Sequence, residues 1–217
     1  MSAPHMVPLR IDWTLSTPWC PSLSFHLDGL IGFALVQEAL VEGRKFTYES
    51  ILEELPFEKH HTNSGWVWKA SMIRPLESQG LERRYMTAKT NVAELVARTA
   101  EQKFSGRPLA KIDMLRGEFK PDAFWYTLEH AEQFRAWCIG DPDRLNALLN
   151  HITNLGKHAR LDEGRVHSFN VEEDEEAQRH WMERNMPEPV ADYAAAVGRL
   201  RPPYWMGEGA TTVWRPL

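Results

Sequence analysis

Apolar and polar residues alternate at both ends of the chain. From Val7 to Leu15 every second residue is apolar, the period-two pattern of a half-buried strand. The stretch from Arg165 to Val171 alternates in the same way, and Phe134 to Ile139 is typical of a strand buried in a core. The pattern therefore predicts three strands that are far apart in sequence.

The segments between these strands show helical periodicity. Asp28 precedes a stretch whose apolar residues share one broad face, and Gly43 stands just past its end. Asp141-Pro142 is an N-cap followed by proline at the first helical position, which predicts a second helix that ends at Gly156. Shorter helices are predicted over 46–55 and 91–103.

The middle of the chain is predicted to be mainly extended. Residues 66–74 and 81–90 are strand-like and are joined by a turn, which favours a hairpin, and further strands are expected at 109–115 and 123–128. Helices that follow strands, with an antiparallel pair between them, favour an α+β fold with a ferredoxin-like (RRM-like) core.

No linker or internal repeat divides the sequence, so a single domain over residues 1–217 is expected. Its core would run from about 5 to 172, with a β-hairpin and helical insertion at about 44–120 and a C-terminal extension at 173–217.

Charge is distributed unevenly along the chain. The formal net charge is -5, which argues against a polybasic protein that coats nucleic acid. Residues 69–116 nevertheless carry ten Lys and Arg against five acids, whereas residues 172–188 carry seven acids against two Arg. The sequence therefore predicts an electrically polarised molecule with one basic region.

Two cysteines, Cys20 and Cys138, lie too far apart in sequence to form a CxxC motif, which argues against a zinc site or a disulfide framework. No apolar run approaches the length of a membrane span, and the first residues do not resemble a secretory signal. A cytoplasmic protein without a membrane partner, metal or cofactor is expected.

The loop between the second predicted helix and the last strand carries the most informative motif. Gly156 and Gly164 allow tight turns and close approach of the backbone to a phosphate, and Lys157, Arg160 and Arg165 supply positive charge. The alternative is an ordinary connection with a solvated, charged surface.

This loop, after the helix LNALLNHITNL, resembles the glycine-rich loop of the RAMP superfamily in class 1 CRISPR systems. The opening strand and the segment FHLDGL resemble the start of the same family, and the likeness covers the first 45 residues and roughly 134–172. The combination of this loop with this opening segment is most similar to the small subunits of type IV effector complexes that cap the 5′ handle of the guide RNA. One departure is Asp162, where the family usually has glycine; Asp162 and Glu163 would repel a phosphate unless they point away or pair with an arginine.

The resemblance implies a ferredoxin-like, non-catalytic subunit that binds CRISPR RNA and nucleates assembly of an interference complex. Its partners would be the guide RNA 5′ handle and the backbone and large subunits, with target DNA reached indirectly. The residues expected to contact RNA are Gly156, Lys157, His158, Arg160, Gly164 and Arg165 in the loop, His26 before the first helix, and Lys69, Arg74, Arg83, Arg84 and Lys89 around the predicted hairpin.

A basic hairpin would suit the thumb-like insertion of RAMP subunits. Trp66 and Trp68 fall on one face of its first strand and could stack on bases. The alternative is that these tryptophans pack in the core while the arginines are solvated. Both interpretations stay open at the level of sequence.

An enzymatic alternative rests on His26, because related guide-processing RAMP nucleases cleave RNA without metal through a histidine near the first helix. Such a base must reach a 2′-hydroxyl. The string Asp113, Glu118 and Lys120 has the residue types of a metal-dependent nuclease but is short and common.

The acidic stretch 172–176 precedes a helix predicted at 177–186 and is either a solvated helix start or a docking face for a basic subunit. The aromatic residues of the C-terminal tail either fold back on the domain or enter a partner; they are Tyr204, Trp205 and Trp214.

Overall fold

The described part of the chain is an α+β structure built around a four-stranded antiparallel sheet. The computed structural model describes residues 5–22, 25–88 and 122–217, together with Ala93 and Val96. The strands are β1 (Val7–Leu15), β2 (Lys59–Thr62), β3 (Gly65–Trp68), β4 (Arg74–Pro75), β5 (Gly80–Ala88), β6 (Asp122–His130), β7 (Gln133–Gly140), β8 (Val166–Glu173), β9 (Tyr193–Gly198) and β10 (Thr211–Pro216). The α-helices are α1 (Leu27–Val41), α2 (Tyr48–Leu52), α3 (Pro142–Leu149) and α4 (Ala177–His180).

The main sheet has the strand order β4-β7-β1-β8, and every neighbouring pair is antiparallel. β1 lies inside the sheet, with Ile11 opposite Ala136 of β7 and Val171 of β8. Its residues are alternately buried and half-buried, because one face of β1 packs on the main core and the other carries Arg10, Asp12 and Thr14. The three strands predicted from apolar patterning are therefore confirmed.

Helices α1 and α3 contribute to the same core as the apolar residues of β1 and β7. Asp141 caps α3, since its side chain accepts hydrogen bonds from the backbone N–H groups of Asp143 and Arg144. The Arg144 guanidinium also pairs with both carboxylate oxygens of Glu38 on α1, at 2.7 and 2.5 Å. This bidentate contact fixes α3 beside α1.

The connections of the sheet follow one rule. The chain from β1 through α1 returns as β4, with β7 between them, and the chain from β7 through α3 returns as β8, with β1 between them. Each helix therefore joins two strands that flank a third. This arrangement places the turn after β1 beside the loop after α3, as the bridge between Cys20 and Lys157 shows.

The chain divides into two compact units. The first comprises residues 1–80 and 129–217 and contains the main sheet, the β2–β3 hairpin and the β9–β10 pair. The second comprises residues 81–128, and its described part is mostly β5 and β6, which pair with each other.

Several predicted elements differ from the structure. The predicted hairpin joining 66–74 to 81–90 is wrong, since β3 pairs with β2 and β5 pairs with β6. The last two predicted helices are too long, because α3 ends at Leu149 and α4 at His180. Apart from Ala93 and Val96, which are helical, the helix predicted at 91–103 and the strand at 109–115 lie outside the described residues.

Candidate functional site

Two glycines determine the conformation of the loop between α3 and β8. Gly164 has φ +65°, and a Cβ atom there would lie 2.0 Å from the carbonyl oxygen of Leu155. Gly156 has φ +87°, and its Cβ would lie 2.6 Å from the carbonyl oxygen of Cys20. Only glycine fits at these two positions, because both the left-handed φ and the close backbone contact exclude a side chain.

Hydrogen bonds hold this loop against the segment that follows β1. The backbone N–H of Gly164 donates to the carbonyl of Pro18 at 2.8 Å, and that of Lys157 donates to Cys20 at 3.1 Å. Thr17 makes two further contacts, since its Oγ1 accepts from the N–H of Arg165 at 2.8 Å and donates to the carbonyl of Asp162 at 2.7 Å. The loop is therefore a defined structure and not a free connection.

The cations of this loop point to solvent. Lys157 and Arg160 are exposed, and neither forms a salt bridge with any residue that the structure describes. Arg165 is also exposed and pairs with Asp162 at 3.2 Å. Glu163 is only 2% exposed, so its carboxylate is turned away from solvent. The two acids that would repel a phosphate are thus paired or buried, which leaves a positive surface.

Arg83 and Arg84, predicted on the hairpin, lie on β5 in the second unit, and both are exposed. Arg84 pairs with Glu82 at 2.8 Å, whereas the Arg83 guanidinium lies 5.7 Å from the ring centroid of Trp125 on β6. Tyr85 stands 4.9 Å from the same ring.

The sequence reasoning missed this aromatic pair. Tyr85 is 54% exposed and Trp125 is 61% exposed, so together they present an uncovered aromatic surface beside a cation. The alternation of Leu81, Arg83 and Tyr85 places all three on one face of a strand, which was a signal for Tyr85 but not for Trp125.

The remaining cations predicted around the hairpin are separated by the fold. Lys69 and Arg74 belong to the first unit, where the ammonium group of Lys69 pairs with Glu58 at 2.9 Å and Arg74 is half-buried in β4. Lys89 lies outside the described residues. Because Lys69 and Arg84 are each paired with an acid, the strongest candidate among these cations is Arg83 on β5.

The two tryptophans proposed for stacking are occupied within the protein. Trp68 is 3% exposed and belongs to the main core. Trp66 meets it edge to face at 5.2 Å and carries the Arg201 guanidinium over its ring at 4.1 Å. The structure therefore favours the core interpretation for Trp68 and a cation–π contact for Trp66.

His26 is the N-cap residue of α1, and its side chain does not face solvent. Its side chain is 1% exposed, and its ring stacks on Tyr204 at 4.2 Å between centroids. Neither ring nitrogen has a hydrogen-bond partner among the described residues. Burial, with smaller effects of Arg184, Arg215 and Arg74, lowers the pKa of His26 well below its usual range. A neutral, covered ring cannot reach a 2′-hydroxyl in this conformation.

The surroundings of His26 form a buried polar network. Nη2 of Arg184 donates to Asp28 at 3.0 Å and to the hydroxyl of Tyr204 at 2.8 Å, and that hydroxyl donates to Asp28 at 2.8 Å. Burial raises the pKa of the Asp28 carboxyl, and the guanidinium and the hydroxyl act against that rise. The network joins α1 to the C-terminal extension.

Metal-binding geometry is not found in the described residues, where no group of three or more His, Cys, Asp or Glu side chains converges. The string Asp113, Glu118 and Lys120 lies outside them. Within the described ranges, no helix has the length and apolar character needed to cross a bilayer.

Comparison with known families adds the decisive observation. The family model described as CRISPR type IV associated protein Csf3 matches residues 7–216, nearly the whole chain. The chain belongs to this Csf3 family. It is therefore a type IV CRISPR-associated subunit, a component of a multisubunit effector complex, as the resemblance of the glycine loop and the opening strand implied. A search of the curated proteins finds no match.

Proposed function

We propose that this chain is a non-catalytic RNA-binding subunit that holds the 5′ handle of the CRISPR guide RNA. Bound there, it nucleates assembly of the backbone and large subunits along the guide, and it meets target DNA only through the guide. Membership of the Csf3 family supports a role in a type IV CRISPR complex. The charged loop supports RNA as the ligand.

The observation that carries the proposal is a pair of exposed cations on a loop that hydrogen bonds hold against the segment after β1. Lys157 and Arg160 project from a backbone that Gly156 and Gly164 hold in place, with no salt bridge to a described residue. Preorganised cations bind phosphates well, because little conformational entropy is lost when the ligand arrives.

The strand order supports a second part of the proposal. We interpret the antiparallel order β4-β7-β1-β8, with helices joining strands that flank a third, as a ferredoxin-like RAMP core. In this core the glycine loop occupies the connection between the second core helix and the last core strand, the place that the family resemblance gives it.

The second unit offers a separate contact surface for RNA. Arg83 would bind a phosphate, while Tyr85 and Trp125 beside it would stack on unpaired bases. Cations interleaved with exposed aromatic rings are the usual means of holding single-stranded RNA. The glycine loop and the surface on β5 and β6 are two independent contacts.

A matched pair of double variants tests the loop. K157E/R160E reverses two exposed loop cations, and K45E/R179E reverses one exposed lysine and one exposed arginine elsewhere in the first unit. Each variant is co-expressed with the guide RNA and the other subunits, and the RNA recovered with the chain is quantified. We expect K157E/R160E to lose about tenfold or more of the RNA, with K45E/R179E close to wild type. Equal recovery from both variants would refute the loop as the RNA site.

A cleavage assay tests the proposal that the chain is not a nuclease. Repeat RNA incubated with the purified chain in EDTA is expected to stay intact, because His26 is covered by Tyr204. Specific cleavage that disappears in His26→Ala would instead establish the metal-independent endoribonuclease.

A further inference from the structure

Among the residues that the structure describes, none pairs with the outer edge of β8 over the second half of the strand. β8 is the last strand of the main sheet and pairs only with β1 among the strands that the structure describes. At the start of β8 the outer edge is already hydrogen-bonded, because the N–H of Val166 donates to the carbonyl of Thr153 at 2.9 Å. From Phe169 to Glu173 no described backbone group bonds to the outer side.

The register shows which groups face outward. Asp174 donates its N–H to Pro8 of β1 at 3.0 Å, so Glu172 and Asn170, two and four residues earlier, also direct their backbone groups toward β1. The N–H and C=O groups of Phe169, Val171 and Glu173 therefore point away from the sheet. They form an evenly spaced row of three donors and three acceptors.

This edge carries charge at Glu172, which pairs with Arg10, and at Glu173, but it lacks the other features that usually protect an exposed strand. Phe169 to Glu173 contains no proline and no lysine, and the irregularity in the pairing of β1 and β8 lies before it, at Thr14 and Leu15. Open, regular edges are rare in natural proteins because they pair with other chains. An edge left open in a subunit of a multisubunit complex is suited to receive a strand.

We propose that this edge binds an extended segment of a neighbouring subunit of the type IV complex, which adds to the main sheet as an antiparallel fifth strand. The inference rests on family membership and not on RNA binding by the loop.

Side chains along the edge define the partner. Phe169 and Val171 are half-buried and leave apolar surface at the rim of the core, whereas Glu173 is exposed and makes no salt bridge with a described residue. An antiparallel partner would therefore place Lys or Arg opposite Glu173, then apolar residues two and four positions later. The chemistry expected of the partner strand is basic-x-apolar-x-apolar.

Amide hydrogen exchange resolved to single residues tests the pairing. In the isolated chain, the amides of Phe169, Val171 and Glu173 should exchange faster than those of Asn170 and Glu172, which are bonded to β1. In the complex reconstituted with guide RNA and the other subunits, the first three amides should slow by about tenfold or more. Unchanged exchange of those three amides in a complete complex would overturn the proposal.

A charge variant tests the chemistry of the partner. Glu173→Lys would place a like charge opposite the basic residue and should lower the yield of assembled complex by about two- to fivefold. Glu132→Lys, at an exposed glutamate in the turn between β6 and β7, is the matched control and should assemble normally. Equal yields from both variants would contradict a basic partner.

Two further results separate the alternatives. Protection of the three amides in the isolated chain at high concentration would mean that a second copy occupies the edge, which also overturns the proposal. Protection retained in complexes that have lost RNA would leave the edge assignment standing while the RNA function fails.

Discussion

The guanidinium of Arg184 and the carboxylate of Asp28 form a salt bridge of 3.0 Å in which neither side chain is exposed to solvent. Arg184 comes from the segment after α4, and Asp28 lies in the first turn of α1. The same guanidinium donates to the carbonyls of Trp68, Ala70 and Leu200 at 2.7 to 2.8 Å. One buried cation therefore joins the start of α1, the segment after β3 and the C-terminal extension.

Removing the Arg184 guanidinium should lower the stability of the fold. In Arg184→Met the carboxylate of Asp28 and three backbone carbonyls lose their buried donor. Because the remaining charge stays buried and unpaired, we expect the free energy of unfolding to fall by about 3–5 kcal/mol, measured by urea denaturation of the isolated chain.

The control is Arg179→Met, at an exposed arginine of α4, which should change stability by about 0.5 kcal/mol or less. In the double variant Arg184→Met/Asp28→Asn the loss should be smaller than the sum of the single losses, since no carboxylate is left unpaired. Strict additivity would mean that the two side chains are not energetically coupled.

His26 should make the stability of the fold depend on pH. Its pKa in the folded chain lies well below that in the unfolded chain, which is about 6.5. The unfolded chain therefore binds a proton that the folded chain does not, so stability is complete above about pH 6.5 and falls as the pH is lowered below it. The slope contributed by this single proton approaches about 1.4 kcal/mol per pH unit.

Urea denaturation of wild type and His26→Phe between pH 7.5 and pH 5 measures this contribution. Phenylalanine keeps the stack on Tyr204 and cannot bind a proton. The variant should lose stability less steeply on acidification, and identical slopes would show that His26 is not the group responsible.

Gly164→Ala should disrupt the loop. The added Cβ would lie 2.0 Å from the Leu155 carbonyl at a residue with φ +65°. We expect a loss of about 1–3 kcal/mol in urea denaturation, because the backbone must shift. Gly207→Ala is the control, since a Cβ there meets nothing within 4 Å. If both variants were equally stable, the loop would not require glycine at 164.

Trp125→Ala should weaken RNA binding without weakening the fold. The ring is largely exposed, so little packing is lost, whereas one stacked base would lose about 1–3 kcal/mol of binding free energy. The comparison is Trp205→Ala in the C-terminal extension, where the ring is also exposed. RNA affinity measured at fixed salt should fall only for Trp125→Ala, and equal affinities would exclude stacking on this ring.

Local patterns accounted for much of the fold. The alternation over Val7–Leu15 indicated β1, the cap at Asp141-Pro142 indicated α3, and the glycines at 156 and 164 marked a loop whose backbone leaves no room for Cβ. These features depend on short-range sterics and periodicity, which a sequence displays directly.

Long-range partners were beyond local reasoning. Nothing near Arg184 in the sequence indicates that its partners are Asp28, Trp68 and Tyr204, between 20 and 156 positions away. The hairpin prediction failed for the same reason, because strand propensity shows that a segment is extended but not which strand it joins. Trp125 was missed because exposure of an aromatic ring depends on tertiary packing.

The most direct test of the central claim is photochemical crosslinking of the chain to guide RNA within the assembled complex, with mass spectrometric mapping of the joined peptide and nucleotide. Holding the 5′ handle predicts crosslinks from the peptide that spans 156–165 to nucleotides of that handle, and their loss in K157E/R160E. Crosslinks confined to the spacer or the 3′ end, or none from this peptide in an RNA-containing complex, would contradict it.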